Sequence, residues 1–302
     1  MALYQEFEIK DESKMIDLKK LEVGDYEVIG GIKTHFHRAG SGKPIVFLHG
    51  SGPGVSAWAN WRLTLPYFAE NGFEVFAPDI VGFGYTERPK DFEYTHRNRV
   101  KHVIDFIKHF DLKEVNIVGN SMGGAIALAV ALEIPERIRK LVIMGSVGVK
   151  FPITNGLVTV WGYKPSIENM RKVIEALSSN PSLVGEDLIR MRYEASIQPG
   201  FQETYEKMFY PPYQKHIDEM DVEDRLGEIK VPTLVIHGKL DKVIPYQISV
   251  RIFEKLPNAE LHIFGDCGHW TQIEKRDEFN ELVKSFLSQS QLQIAKLKNY
   301  QR

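Results

Sequence analysis

The stretch Gly119–Gly123 has the residue types of a serine nucleophile site. Its sequence, Gly-Asn-Ser-Met-Gly, lies between strand-forming residues 115–118 and an apolar, helix-forming segment at 125–132. This context predicts a strand, a sharp turn and a helix, with Ser121 at the turn. The glycines leave room where a Cβ would collide with neighbouring backbone, and the strained turn exposes the serine hydroxyl. The Met122 N–H, at the helix start, points to where an oxyanion would form. The alternative is a glycine-rich turn with an incidental serine.

A serine hydroxyl needs a base to take its proton and a third group to orient that base. In a parallel sheet such groups lie on loops after the carboxyl ends of strands. Of the ten histidines, His269 follows a predicted strand and comes late in the chain, as the order serine, acid, histidine requires. Asp241 comes just after the apolar run 231–236 and is the predicted acid. Asp266 is the rival, but it lies on the same turn as His269, where it would more simply hold the loop.

A second backbone donor for the oxyanion is predicted at Ser51. The loop His49–Gly54 follows another apolar run and is built almost entirely of Gly, Pro and Ser. Few side chains then obstruct the approach of backbone N–H groups to a ligand. His49 is interpreted as a structural residue at the base of this loop, and Cys267 as a small buried thiol.

The elements that position these residues alternate along the chain. Short apolar runs separated by helical patterns predict a mostly parallel α/β sheet covered by helices on both faces. The predicted strands are 44–48, 73–79, 115–118, 141–144, 231–236 and 261–264, with a β-hairpin at 25–37. We predict a core at 1–150 and 225–302. Residues 1–20 are interpreted as an extension or edge element, and 288–302 as a loosely held helix or tail.

The segment 151–224 interrupts this alternation. It has no clear buried strand, and its aromatic and methionine residues are interleaved with charged ones. We predict a helical lid inserted over the ends of the strands, because such surfaces line apolar binding pockets. The alternative is a set of ordinary surface helices packed elsewhere.

The totals exclude several classes of protein. The chain has 302 residues and a net charge of −2, which gives no electrostatic case for a nucleic-acid or membrane partner. Its one cysteine excludes an intrachain disulfide and a Cys-based zinc site. The start of the chain lacks the pattern of a signal peptide, and no apolar run approaches the roughly 20 residues of a membrane span. We expect a soluble, cytoplasmic protein.

With these residues placed, the chain resembles the α/β-hydrolases, and more narrowly the meta-cleavage product hydrolases of aromatic degradation. The likeness extends over about 31–287. It is carried by the runs 49–60, 119–124, 161–170, 192–200 and 267–270. The runs within the predicted lid resemble members that act on single-ring products, of the 2-hydroxymuconic semialdehyde type.

The resemblance implies an α/β-hydrolase fold and hydrolysis of a carbon-carbon bond in a 2-hydroxy-6-oxo-2,4-dienoate, a ring meta-cleavage product. The products would be 2-hydroxypenta-2,4-dienoate and a carboxylic acid, and no metal or cofactor would be used. It also implies that the dienol is first ketonised and that Ser121, deprotonated by His269, then attacks the C6 carbonyl. The family often forms homo-oligomers, but no motif here decides the oligomeric state.

The dienoate end of such a substrate carries a carboxylate and a 2-oxygen, which need hydrogen-bond donors and a cation in an otherwise apolar cleft. The family's motif matches these positions to Gly52, Asn60, Asn120, Arg192 and Trp270 of this chain. The alternatives are a solvated Arg192 and asparagines that simply cap turns.

Other functions fit part of the pattern. A carboxylesterase uses the same triad, because nothing in a Ser-His-Asp arrangement dictates which bond is cleaved. A hydrolase-fold receptor for a small ligand would turn over slowly or not at all. Dehalogenases and epoxide hydrolases would need an acid in place of Ser121. The substituent at C6 depends on lid side chains that the sequence does not orient.

Overall fold

The computed structural model describes residues 16–180, 182 and 185–289. The extension predicted for 1–20 lies outside this range as far as residue 15, and the tail predicted for 288–302 lies outside it from residue 290. Within the described residues, eight strands form one sheet. They are β1 (Asp25–Ile29), β2 (Ile32–Gly40), β3 (Lys43–Leu48), β4 (Phe73–Pro78), β5 (Val115–Asn120), β6 (Ile138–Met144), β7 (Thr233–Gly238) and β8 (Ala259–Phe264).

The sheet has the strand order β1-β2-β4-β3-β5-β6-β7-β8. β1 and β2 form the predicted hairpin, β2 pairs antiparallel with β4, and the remaining neighbours are parallel. Every residue of β5 and of β7 is buried, as expected for parallel strands covered on both faces. The prediction of a mostly parallel, helix-covered sheet is confirmed.

The helices lie before, between and after these strands in the chain. They are α1 (Leu18–Val23), α2 (Ala57–Trp61), α3 (Leu65–Glu70), α4 (His96–His109), α5 (Met122–Glu133), α6 (Asn155–Trp161), α7 (Ile167–Leu177), α8 (Glu186–Ser196), α9 (Phe201–Met208), α10 (Gln214–Asp218), α11 (Gln247–Lys255), α12 (Thr271–Glu274) and α13 (Arg276–Ser288), with short 3-10 helices at Pro135–Arg137 and Glu223–Glu228. Side chains of Thr95, Thr154 and Ser166 cap the N-termini of α4, α6 and α7 by accepting a backbone N–H, which satisfies a donor that the helix itself leaves free.

Two apolar cores lie on opposite faces of the sheet. α4, α5 and α11 pack on one face, where Ile117 of β5 points. α3 and α13 pack on the other, which includes the neighbouring Val118. This alternation along β5 follows from the two-residue period of a strand. The sheet therefore holds the carboxyl ends of β3, β5, β7 and β8 at one rigid edge.

Helices α6 to α10 lie in the chain between β6 and β7. In the described part of 151–224, no residue is assigned to a strand. Where a core ends and a lid begins stays a prediction. Among the described residues, no helix has the length and apolar character needed to cross a bilayer.

Candidate active site

Ser121 lies on a strained turn between β5 and α5. Its backbone has φ 57° and ψ −117°, a region that non-glycine residues rarely adopt and that costs on the order of 1–3 kcal/mol. The turn leaves no room for larger neighbours, because a Cβ on Gly119 would collide with the backbone of Gly123, and one on Gly123 with the carbonyl oxygen of Leu48. The two glycines therefore allow α5 to start directly against the sheet, with the serine at its N-terminus.

The predicted base and acid are in contact. His269, on the loop after β8, lies with its Nδ1 2.7 Å from Oδ2 of Asp241, which follows β7. Both side chains are buried, with 2% and 0% of their surfaces exposed. A proton on Nδ1 directed at the carboxylate leaves Nε2 as the basic nitrogen. The rival acid, Asp266, is exposed on the surface.

The segment Met144–Gly145 links this pair to the serine turn. The Ser121 N–H donates to the carbonyl oxygen of Met144 over 2.9 Å. A Cβ placed on Gly145 would lie 3.1 Å from the ring of His269 and 3.5 Å from Oδ2 of Asp241. The glycine at the end of β6 thus allows the imidazole and the carboxylate to approach the sheet beside the serine.

The Asp241 carboxylate has a donor at every acceptor position. Oδ1 accepts the N–H groups of Val243 and Ile244 at 2.7 and 2.9 Å, and Oδ2 faces His269 and also Nε2 of His237 at 3.0 Å. Burial alone would raise the pKa of Asp241, but the charge of His269 and the hydrogen bonds from both imidazoles outweigh it and hold this pKa well below its usual range. Asp241 is therefore ionised at any working pH.

The loop after β3 approaches the serine turn closely. A Cβ on Gly50 would lie 3.1 Å from the Cβ of Ser121. His49 holds the base of the loop, since its Nδ1 faces the Gly50 carbonyl at 2.7 Å and its Nε2 accepts the Ile80 N–H at 2.9 Å. Burial lowers the pKa of His49. Ser51 follows Gly50 directly, so the backbone of Ser51 is held close to Ser121.

A buried carboxylate, Asp79, holds the far side of the same loop. Its Oδ1 accepts the N–H of Ala57, the first residue of α2, at 2.6 Å. Its Oδ2 faces Nδ1 of His35 and accepts the Tyr85 N–H, both at 2.8 Å. Burial would raise the pKa of Asp79, but the hydrogen bond from His35 and nearby imidazoles lower it. The loop is therefore fixed at both ends by buried polar groups.

Met122 is the first residue of α5. The first N–H groups of an α-helix have no partner within the helix and lie at the positive end of its dipole. The Met122 N–H is therefore available to an anion at the serine. The pairing of this N–H with that of Ser51 in an oxyanion hole stays a prediction.

Arg192 of α8 is buried against the Ser51 loop. Its side chain is 3% exposed, and its Nε and Nη2 donate to the Pro53 carbonyl at 3.1 and 2.8 Å. The guanidinium carbon lies 5.2 Å from the centre of the Trp270 ring. Burial lowers the pKa of Arg192 to about 10, and no carboxylate of the described residues contributes to that shift. Within the part of the chain that the structure describes, the hydrogen bonds of this buried cation go to a neutral carbonyl.

The other predicted binding residues are Gly52, Asn120 and Asn60. Gly52 lies beside Arg192, because a Cβ on Gly52 would be 2.9 Å from the arginine's Nη2. Asn120 donates from Nδ2 to the Met144 carbonyl at 3.3 Å. Asn60 is buried, and within the described part of the chain its Nδ2 has no hydrogen-bond partner. The structure thus places Gly52, Arg192 and Trp270 together, with Asn120 beside Ser121, while Asn60 keeps an unused donor.

Aromatic side chains from the segment after β6 cover the Ser51 loop. The Trp161 indole N–H donates to Oγ of Ser51 at 3.0 Å. The Trp161 ring stacks on that of Phe209, with centroids 5.1 Å apart and planes 7° apart. A backbone bond of 3.0 Å from the His269 N–H to the Leu177 carbonyl ties the same segment to the predicted base. The reacting groups are therefore shielded from solvent.

Three residues of this site were not predicted as part of it. Asp79 and His237 lie at or just past strand ends, so the rule that placed Asp241 could have identified them. Glu274 of α12 gave no such signal, although its Oε1 accepts the Gly268 N–H at 3.1 Å and its Oε2 accepts the Ser179 N–H at 2.9 Å. The described residues contain no group of three His, Cys, Asp or Glu side chains arranged to hold a metal ion.

A family model described as the alpha/beta hydrolase fold matches residues 43–276, so the protein belongs to that class. The chain is 46% identical over 270 residues to 2-hydroxymuconate semialdehyde hydrolase of Pseudomonas sp. strain CF600, covering 89% of this chain and 95% of the relative. It is 46% identical over 268 residues to 2-hydroxy-6-oxo-2,4-heptadienoate hydrolase of Pseudomonas putida, covering 88% and 97%.

The solved structures agree. A meta-cleavage product hydrolase from Pseudomonas fluorescens IP01, determined in complex with acetates, superposes with a TM-score of 0.86 at 46% identity and covers 89% of this chain and 98% of its own. The chain therefore belongs to the meta-cleavage product hydrolase family. The predictions of fold class and family are confirmed.

Proposed function

We propose that the protein hydrolyses the C5–C6 bond of a 2-hydroxy-6-oxo-2,4-dienoate of the single-ring type. The observation that carries the proposal is Arg192, a buried cation that pairs with no carboxylate of the described residues and lies beside the Ser51 loop. Burying an unpaired charge is costly, and the carboxylate of a dienoate would offset that cost. The names of the two relatives from Pseudomonas support the same substrate class.

In the proposed reaction the dienol is first converted to its keto form, so that C5 lies between the C6 carbonyl and an enone. His269 then takes the proton of Ser121, whose oxygen attacks C6. Asp241 orients His269 and stabilises its positive charge. The negative charge on the C6 oxygen is held by the N–H groups of Met122 and Ser51, and losing one such donor typically costs roughly 3 kcal/mol.

Collapse of this intermediate breaks the C5–C6 bond. The electron pair of that bond passes into the enone, and the resulting dienolate takes the proton that His269 removed from Ser121 and leaves as 2-hydroxypenta-2,4-dienoate, so that His269 is again a base. The acyl group stays on Ser121. A water molecule, deprotonated by His269, then attacks the acyl carbon and releases the carboxylic acid. The sum of the steps is the addition of one water across the C5–C6 bond.

The dienoate end would be held by donors on either side of the serine. Arg192 would bind the carboxylate, and the Nδ2 of Asn60, which is buried and unpaired among the described residues, would donate to a substrate oxygen. Asn120, Trp270 and the backbone of Gly52 would complete this half of the pocket. The C6 substituent would lie on the opposite side, towards the aromatic rings of the lid.

The proposal includes the division into a core, 1–150 and 225–302, and a lid, 151–224. The hydrogen bonds from Trp161 to Ser51 and from His269 to Leu177 support it, because they join the inserted segment to the reacting groups. It also includes a cytoplasmic location. The single thiol, Cys267, is free and buried, and burial raises its pKa well above the usual range, so it stays a protonated, unreactive thiol, which suits a reducing compartment.

The test compares dienoates with an ester. Purified protein is mixed with 2-hydroxymuconic semialdehyde, with its 6-methyl homologue and with p-nitrophenyl acetate, beside Ser121→Ala and Arg192→Met variants. We expect fast loss of dienoate absorbance, slow ester hydrolysis, no dienoate hydrolysis by Ser121→Ala, and a raised KM for dienoates alone in Arg192→Met. Preference for the ester, with the dienoates left intact, would instead indicate a carboxylesterase. A single burst without turnover would indicate a ligand receptor.

A further inference from the structure

The oxygen of Asp241 that contacts His269 is shared with a second imidazole. Oδ2 lies 2.7 Å from Nδ1 of His269 and 3.0 Å from Nε2 of His237. The side chains of His237 and Asp241 are both fully buried. A carboxylate oxygen can accept from two donors. His237 fills the second acceptor position of Oδ2, which a water molecule or a rotated His269 would otherwise take.

The hydrogen-bond pattern fixes where His237 carries its proton. Its Nε2 faces two acceptors, the Asp241 carboxylate and the Ile244 carbonyl oxygen at 2.9 Å. Only a protonated nitrogen satisfies both. Its Nδ1 lies 2.6 Å from the hydroxyl of Ser249 on α11, and a hydroxyl can donate to an unprotonated nitrogen. With the hydroxyl as the donor, the ring is satisfied on both sides as a neutral imidazole.

The neutral state matters for the reaction. When His269 takes the serine proton it becomes a cation, and Asp241 must stabilise that charge. A charged His237 on the same carboxylate oxygen would repel the new cation and weaken this effect. A neutral His237 instead keeps the carboxylate plane directed at His269 without adding a competing charge.

We propose that His237 is a positioning residue of the triad: held neutral by Ser249, it donates from Nε2 to Asp241 and keeps Oδ2 directed at His269. Ser249 acts through His237: its hydroxyl donates a hydrogen bond to Nδ1 of the ring. The proposal rests on the proposed function only in assigning Ser121, Asp241 and His269 to catalysis, and it applies equally to an ester substrate.

The first experiment determines which ring nitrogen of His237 is protonated in the wild-type protein. Nitrogen NMR of ¹⁵N-histidine-labelled protein distinguishes protonated from unprotonated ring nitrogens. Comparison with a Ser249→Ala variant assigns the His237 signals, because the Ser249 hydroxyl lies 2.6 Å from Nδ1 of this ring. We expect Nε2 protonated and Nδ1 unprotonated at neutral pH. A proton on Nδ1 of His237 would overturn the proposal.

The second experiment compares variants. His237→Gln removes the fixed donor, and we expect kcat to fall about tenfold on both dienoate and p-nitrophenyl acetate with KM within about twofold, as for the loss of one hydrogen bond felt in the transition state. The downfield N–H proton resonance of His269 should shift. Ser249→Ala, a milder change, should lower kcat by less. His102→Gln, at a buried histidine of α4 bonded to Thr34, is the matched control and should leave kcat and the resonance unchanged.

The outcomes separate the two proposals. If the wild type hydrolyses the ester but not the dienoates, the proposed function fails, while the ester kinetics and the His269 resonance still test His237. If folded His237→Gln keeps wild-type kcat and an unshifted resonance, His237 only fills space and the positioning role is wrong. Should His237→Gln fail to fold, the same two readouts in Ser249→Ala decide, and wild-type values for both would likewise overturn the role.

Discussion

Replacing Asp241 by Asn changes one atom of the site in a predictable way. Oδ1 accepts two backbone N–H groups, from Val243 and Ile244, so the amide oxygen should take that place. The NH₂ group then takes the place of Oδ2, 2.7 Å from Nδ1 of His269. Because an NH₂ group donates and does not accept, His269 must present a bare Nδ1 and carry its proton on Nε2. In that tautomer it cannot take the proton of Ser121.

The expected loss can be estimated in two ways. The same change in a Ser-His-Asp protease lowers kcat by about 10⁴ through the wrong tautomer, which corresponds to about 5.5 kcal/mol. Independently, an imidazolium and a carboxylate with charge centres about 4 Å apart attract each other by about 4 kcal/mol at an effective dielectric constant of 20. Both side chains are buried, and an effective dielectric constant of about 20 describes ion pairs even at buried sites in proteins. We therefore expect kcat to fall by about 10³–10⁴.

The assay is steady-state hydrolysis of a dienoate and of p-nitrophenyl acetate by Asp241→Asn, with thermal unfolding to show that the variant is folded. Asp266→Asn is the matched control, because Asp266 is an exposed acid on the loop of His269. We expect it to retain kcat within about twofold, as surface changes away from special contacts usually do. If Asp241→Asn kept kcat within tenfold of the wild type, or if Asp266→Asn caused the larger loss, Asp241 would not be the orienting acid.

Three further predictions concern the packing of the serine turn, the contacts of Glu274 and the titration of two buried histidines. Gly123→Ala puts a Cβ into the backbone that follows β3, so we expect the free energy of unfolding, measured with denaturant, to fall by about 1–3 kcal/mol and kcat to fall with it. Glu274→Gln presents an NH₂ group either to the Gly268 N–H or to the Ser179 and Asn180 N–H groups and the Ser179 hydroxyl, so we expect a loss of about 1–3 kcal/mol and faster limited proteolysis around these residues. Burial lowers the pKa of His96 and of His102 to about 4. As the pH falls, the unfolded chain protonates these histidines at a higher pH than the folded chain does. The free energy of unfolding should therefore have its full value above about pH 6.5 and fall by about 1.4 kcal/mol per pH unit for each histidine towards pH 4.

Each of these has a control within the chain. Gly227→Ala adds a Cβ with no atom within 4 Å and should leave stability within about 0.5 kcal/mol; an equal loss at Gly123 and Gly227 would contradict the steric argument. Glu278→Gln changes an exposed acid of α13, and equal protease sensitivity of the two Gln variants would count against Glu274. His102→Gln should reduce the slope of stability with pH, and an unchanged slope would show that His102 does not titrate in this way.

The sequence singled out Ser121, Asp241 and His269 as triad candidates because these residues obey local rules. Ser121 is marked by the glycines that the turn requires, and Asp241 and His269 follow β7 and β8 in the order that the class uses. Each of these signals lies within a few residues of the catalytic group. The strands were found for the same reason, since runs such as 231–236 are apolar without interruption, although β6 and β8 begin a few residues earlier than the apolar runs indicated.

The supporting contacts were not predictable because they join distant parts of the chain. Glu274 accepts from Ser179, 95 residues away in sequence, and Asp79 faces His35, 44 residues away. Glu274 has no local pattern that distinguishes it from a solvated acid, and the position of Asp79 just after β4 does not reveal which side chain it faces. His237 lies four residues before Asp241, but its role depends on the hydroxyl of Ser249 and on which face of β7 turns towards α11. The assignment of Arg192 came from the family's motif alone, since a lone arginine on a helix predicts nothing about a buried cleft.

The most direct test of carbon-carbon bond cleavage by Ser121 is product analysis with 2-hydroxymuconic semialdehyde. Wild-type protein and Ser121→Ala are incubated with this substrate, and 2-hydroxypenta-2,4-dienoate and formate are quantified by chromatography. We expect the two products in equal amounts from the wild type and none above background from Ser121→Ala. Loss of the substrate without the dienoate, or equal product formation by the variant, would contradict the claim that Ser121 cleaves a carbon-carbon bond.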